Sequence, residues 1–161
     1  MANPTPIVYD IHVWVLAITG ENSTFPRIPA IPPTSGNPNA DCLSIAFDAE
    51  EFAVWSSPHV LTNTARVLGE LGISEKVVNA YIDAILDVIE ASGGQVVEPP
   101  RVAFDSGDFE DNLILDLAVA ADALIVVSDD TDLTPLSPWH GRLILRPSQF
   151  VEHVVQSRRK Q

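Results

Sequence analysis

Residues 123–133 read "ALIVVSDDTDL": five apolar residues that break off into Ser128 and then Asp129, Asp130 and Asp132. An unbroken apolar run of that length, with no polar alternation, is the pattern of a strand covered on both faces. Carboxylates crowded at the end of a buried strand repel one another, so water, a base or a metal ion must offset them.

Working outward from this strand, short apolar runs alternate with longer segments of helical period. "PIVYD" (6–10) reads as a first strand ending on Asp10, and 12–19 reads as a short buried helix or a strand continuation. A stretch with five prolines and no hydrophobic period fills 20–39, the composition of a long surface loop. A helical pattern resumes at "ADCLSIAFDAEEF" (40–52), and "FAVWSS" (52–57) reads as the second strand. Ser57-Pro58 supplies an N-cap and a first-turn proline for a helix that Gly72 stops. Another helix begins after Ser74 and ends at "SGG". "QVVEP" (95–99) is the expected third strand, 109–121 a helix, 123–128 the fourth strand and "RLILRP" (142–147) the fifth. A last helix over "SQFVEHVVQS" closes a single domain spanning 1–157, and the basic residues at 158–161 read as a frayed tail. Strands alternating with helices imply an α/β fold, a mainly parallel five-stranded sheet with helices on both faces.

Composition bounds the function. The chain has 161 residues, 46% hydrophobic residues and a mean hydropathy of +0.16, which suit one well-packed domain. A formal charge of -13 with nine Lys plus Arg excludes a broad basic surface for duplex DNA. It leaves room for an acidic metal site served by a few arginines. Cys42 is the single cysteine, which points to a reducing cytoplasm, and neither a signal peptide nor an apolar run of membrane-spanning length is read.

In parallel α/β sheets ligands collect at the carboxyl ends of the strands. Asp10 ends the first strand, Asp130 and Asp132 follow the fourth, and Asp105, Asp108, Glu110 and Asp111 lie at the start of the 109–121 helix. Two of the groups have ordinary explanations, since Asp108 and Asp111 have capping-box spacing and "SDDTDL" suits a turn, whereas Asp10 closes a buried strand with no Lys or Arg near it in sequence. Their convergence on one sheet edge has no such explanation. Two carboxylates ~4 Å apart repel by about 4 kcal/mol at an effective dielectric of 20, and hard divalent ions prefer such oxygens. The chain lacks His/Cys zinc spacing, a Gly-rich phosphate loop and a G-x-S-x-G elbow.

The order of an Asp closing strand one, acids opening a late helix, and "S-x-D-x-D-L" after the next strand resembles the PIN-domain family of metal-dependent ribonucleases. The likeness extends to "SPHVLTNTARVL" (57–68) and "LILRPSQFVEHV" (143–154), and is nearest to the toxins of bacterial toxin–antitoxin pairs. The resemblance implies a PIN-like three-layer fold and an acidic pocket for Mg²⁺ or Mn²⁺. It also implies an RNA substrate, a cognate antitoxin and a homodimer. Carried over by position, the catalytic and metal-binding acids are Asp10, Asp111, Asp130 and Asp132, with Glu110 beside Asp111 and Ser128 bracing the loop; Asp129 is secondary. Two positions depart from the family pattern. Its Asp-x-Asn is Asp10-Ile11-His12 here, and Asn63 stands where the helix after strand two usually carries Glu. An amide at 63 supplies no charge but can bind a water or a phosphate. His12 reads first as a packed or hydrogen-bonded helix-start residue and second as a substrate contact. Trp139 reads as a base-stacking residue or as cover for an apolar neighbour. Arg27, Arg66 and Arg142 are candidate phosphate contacts, with solvated charge as the ordinary alternative.

A PIN scaffold that binds RNA or a protein without cutting is the second reading. A haloacid-dehalogenase-type phosphatase or a receiver domain fits poorly, because both need a positioned lysine and the chain has only Lys76 and Lys160.

Overall fold

The structure, a computed structural model, describes residues 3–27, 36–48 and 51–160. Its centre is a four-stranded sheet of β1 (Thr5–Tyr9), β2 (Phe52–Trp55), β3 (Ile125–Val127) and β4 (Leu143–Leu145), in the order β2-β1-β3-β4. Every pairing is parallel, with Ile7 beside Val54 on one side and Ile125 on the other. Among the described residues six α-helices flank it: α1 (Ile11–Thr19), α2 (Pro38–Phe47), α3 (Pro58–Glu70), α4 (Glu75–Ser92), α5 (Phe109–Ala120) and α6 (Pro147–Arg159). The α/β architecture follows the expectation. No helix among the described residues is long and apolar enough to cross a membrane.

The expected third strand is the correction. "QVVEP" forms only an isolated parallel bridge, Ser56 with Val96, closed by Ser56 N donating to Gln95 O and Val97 N donating to Ser56 O. The ladder ends there because Pro99 and Pro100 have no N–H to extend it, and Val96 stays exposed at the sheet edge. Residues 12–19, ambiguous by period, are helical within α1. Of the proline-rich loop, 28–35 lie outside the described residues; before them Phe25 packs on Tyr81 of α4, ring centroids 5.5 Å apart.

Local signals explain most helix ends. Ser57 Oγ accepts from Val60 N, Ser74 Oγ accepts from Val77 N, and α4 stops at Gly93 in the left-handed region at φ 90°. Gly94 has a different reason for being glycine: a Cβ there would sit 1.6 Å from Val54 O. Helix α4 therefore exits directly against β2, and Ser92 Oγ accepts from Val54 N at 2.9 Å.

The buried centre gathers at the ends of β1 and β2. Tyr9 meets Trp14 and Phe150 edge-on at 5.5 and 6.2 Å, Phe150 meets Phe52 at 5.2 Å, and Tyr9 Oη donates to Cys42 O. These contacts lock α1, α2 and α6 around the strand that carries Asp10. Helix α6 runs on through Arg158 and Arg159, where a frayed tail was expected. Arg158 bonds Asp48 at 2.7 Å and Glu51 at 2.5 Å, which ties the end of the helix down.

Candidate active site

Asp10 takes its place from backbone geometry. Its N–H donates to Val127 O at 3.0 Å, so the chain stays registered against β3 for one residue past β1. It then turns into α1 with Asp10 as N-cap, Oδ1 accepting from Ile11 N at 2.7 Å. The carboxylate is buried, and Oδ2 accepts from Ser128 Oγ at 2.7 Å. Burial pushes its pKa up, while the bonds from Ser128 and Ile11 and the charge of His12 oppose the rise.

Ser128 is the joint between the two strand ends. Its N–H continues the β3–β4 ladder to Leu145 O, and its hydroxyl, fully buried, also accepts from Asp130 N at 3.0 Å. Asp130 Oδ1 in turn accepts from Asp132 N at 2.8 Å. The "SDDTD" turn is thus wound by successive side-chain-to-backbone bonds, the reason Ser and Asp recur there.

Asp111 arrives from α5. Asp108 caps the helix, accepting from the N–H groups of Glu110 and Asp111. Asp111 does not complete a capping box, since Asp108 N donates to Ser106 Oγ instead. Asn112 grips the preceding bend, accepting from Ser106 N at 2.9 Å and donating to Ser106 O at 3.0 Å. That frees the Asp111 side chain, largely buried, to face the strand ends with Ser106 Oγ at 3.4 Å. Burial pushes the Asp111 carboxyl up to about 7, helped by the neighbouring charges of Asp130, Asp108 and Asp10 and by a hydrogen bond with Asp130.

One oxygen each from Asp10, Asp111 and Asp130 lies within 4.8 Å of the others, and so does one each from Asp108, Asp111 and Asp132. The structure therefore brings all four sequence-selected acids to one place but divides them. Asp132 stands with Asp111 and Asp108, apart from the Asp10 group. Asp129 is exposed and belongs to neither group. A pocket of about 190 Å³ opens on the cluster, lined by Asp10, Asp108, Glu110, Asp111 and Asp130 together with His12 and Arg66. His12 does lie in the first turn of α1, as expected, but it is exposed there and not packed.

Asn63 does not line the pocket. Its Nδ2 donates to His59 O at 2.9 Å and its Oδ1 accepts from Arg66 Nε at 3.2 Å. Arg66 also bonds Glu70 at 2.9 Å, so the amide and Glu70 together hold the one full cation that lines the pocket among the described residues. Trp139 is buried and donates Nε1 to Asp105 at 2.7 Å, which excludes it as an exposed stacking surface. Arg142 is mostly buried too, and Arg27 is exposed and does not line the pocket.

Sequence reasoning passed over Ser106, Asn112 and His59. The first two shape the Asp111 bend, and their i to i+6 spacing carries no recognisable motif. Both ring nitrogens of His59 are buried without a hydrogen-bond partner, and burial lowers its pKa against the pull of Glu110 and Asp10. Nothing in "SPHV" beyond the cap signal marks it.

The donor set of the cluster is all carboxylate oxygen, the set that hard divalent cations take and that soft or imidazole-seeking metals do not. The raised Asp111 carboxyl fits the same conclusion, since like charges gathered there want a counter-ion. A family model described as PIN domain matches residues 7–132. No curated protein matches the chain.

Proposed function

Because the chain belongs to the PIN-domain family, a family of nucleases, we propose that it is a ribonuclease that hydrolyses RNA phosphodiester bonds with Mg²⁺ or Mn²⁺. The observation that carries this reading is the Asp10–Asp111–Asp130 group, three acids from three separate elements within 4.8 Å. Asp10, Asp111 and Asp130 would hold the cation, with Asp132 joining through Asp111. A divalent cation bound there supplies Lewis-acid chemistry toward a phosphate and its attacking water. Ser128 orients Asp10 and Asp130 through its two hydrogen bonds. Glu110 lies on the pocket wall, where a carboxylate can orient a water and accept its proton. Arg66, steadied by Asn63 and Glu70, lines the same pocket, where a guanidinium can meet a phosphate oxygen.

The same reading takes the chain as one domain over 1–157, acting in the cytoplasm as a homodimer and as the toxin of a toxin–antitoxin pair. Asp10→Asn and Asp130→Asn should each lower Mn²⁺-dependent cleavage of a mixed RNA pool by about 10²-fold or more, given the weight of preorganised charge. Unchanged cleavage in both variants refutes the assignment.

A second reading, a PIN scaffold that binds without cutting, is favoured by one observation. Asn63 occupies the position where an acid was expected, and its amide is spent on His59 and Arg66. Titration calorimetry separates the two: no Mn²⁺ uptake together with no cleavage of any RNA pool selects the binding module.

A further inference from the structure

Beyond the acid pocket, the segment leading into α5 carries two aromatic rings that the core does not use. Phe104 is 73% exposed and Phe109 62% exposed, large values for phenylalanines in a small chain. The Arg101 guanidinium lies 5.1 Å from one ring centroid and 4.7 Å from the other. Arg101 is itself anchored, its Nε donating to the buried Asp116 at 2.6 Å. A guanidinium anchored to a buried carboxylate thus lies against both rings.

Phe104 also lines a hollow of about 420 Å³ together with Trp139, His140 and Arg142. Trp139 is held in place by its bond to Asp105. Arg142 Nη1 donates to His140 O, and Nη2 has Asp122 at 3.6 Å, a carboxylate 96% exposed. A pair that long, with one member in full solvent, is worth little. Nη2 is therefore a donor available to a stronger acceptor. The hollow adjoins the acid pocket: Asp105 lines the one and Asp108 the other. Three residues of chain span at most about 11 Å, a short step along a nucleic-acid strand.

We infer that this hollow is a subsite for single-stranded RNA, in which an unpaired base stacks on Phe104 and an adjacent phosphate meets Arg142, delivering the strand across the Ser106–Asp108 bend to the acids. The inference rests on the ribonuclease reading and names where its substrate is held. Aromatic stacking suits this protein for a reason of charge. At -13 overall the chain repels polyanions, so its affinity has to come from uncharged contacts and a few placed arginines. A second protein would also bury the rings. It would leave the Arg142 donor and the junction with the acid pocket unexplained.

The test is binding of a 5′-fluorescein-labelled eight-nucleotide single-stranded RNA to the full chain in EDTA, read by anisotropy, with Mn²⁺-dependent cleavage measured separately. Phe104→Ala should raise Kd at least five-fold, the low end for loss of one stacked base, with the far-ultraviolet circular dichroism unchanged. Arg142→Gln should weaken binding and reduce the slope of log K against log salt by about 0.7, the value for one single-strand phosphate contact. Wild-type protein that binds no such RNA, or a Phe104→Ala variant that binds as wild type does, overturns the subsite. A Phe104→Ala variant that loses self-association by light scattering and keeps its RNA affinity overturns it in favour of a protein interface. RNA cleavage with no Phe104 dependence of binding leaves the ribonuclease reading standing alone. Phe104-dependent binding without cleavage leaves the subsite standing alone.

Discussion

Replacing Asp111 with Asn should stabilise the metal-free protein at pH 8, although the residue lies at the centre of the candidate site. The Asp111 carboxyl is pushed from 3.8 up to about 7, first by burial and then by Asp130, Asp108 and Asp10. An acid whose pKa is raised on folding binds its proton more tightly in the folded state. The folded protein is therefore favoured below pH ~4, loses stability as pH climbs from about 4 to about 7, and gains nothing back above that. Without screening, a rise of that size corresponds to about 4 kcal/mol. The pocket is open to water, which screens the charge, so about 1–2 kcal/mol is the expected size. An Asn at 111 copies the protonated form: its oxygen can accept from Ser106 Oγ and its amide can donate to Asp130. At roughly 2–4 °C per kcal/mol for a chain of this size, the variant should melt about 2–8 °C higher than wild type at pH 8 in EDTA. At pH 4 the two should coincide. Scanning calorimetry at pH 4, 6 and 8 reads this directly. Adding Mn²⁺ at pH 8 should then raise the wild-type melting temperature and leave the variant nearly unmoved. A variant less stable than wild type at pH 8, or a difference independent of pH, refutes the argument that like charge accumulates at Asp111.

Two further substitutions test the supports of the site. Ser128→Ala removes the hydroxyl that donates to Asp10 and accepts from Asp130 N, so the Asp10 carboxyl should rise further. Mn²⁺ binding followed by calorimetry should shift toward higher pH, because a proton then competes more strongly with the metal for Asp10. Asp116→Ala strips a fully buried carboxylate that accepts from Arg101 Nε, Val102 N and Ala103 N. A loss of about 3 kcal/mol is expected in urea denaturation, with the Arg101 guanidinium beside Phe104 and Phe109 released as well.

The sequence by itself determined the elements whose causes are local. Ser57, Ser74 and Asp108 each cap the helix that follows because a side-chain oxygen needs only the next two or three N–H groups. The apolar runs at 6–9 and 123–127 declared buried strands, and parallel pairing then carried Asp10 and the 128–132 turn to the same edge. Convergence of the acids was legible for that reason. Tertiary structure alone decided which partner each polar group found. No local pattern says that Asn63 would turn toward Arg66, that Trp139 would be covered and spent on Asp105, or that Asp132 would stand with Asp108 and not with Asp10. Nor does it say that "QVVEP" would stop at a single bridge for want of donors in the prolines that follow. A side chain's orientation, and the field it feels, depend on what distant segments place within a few ångströms, and that is a property of the packed molecule.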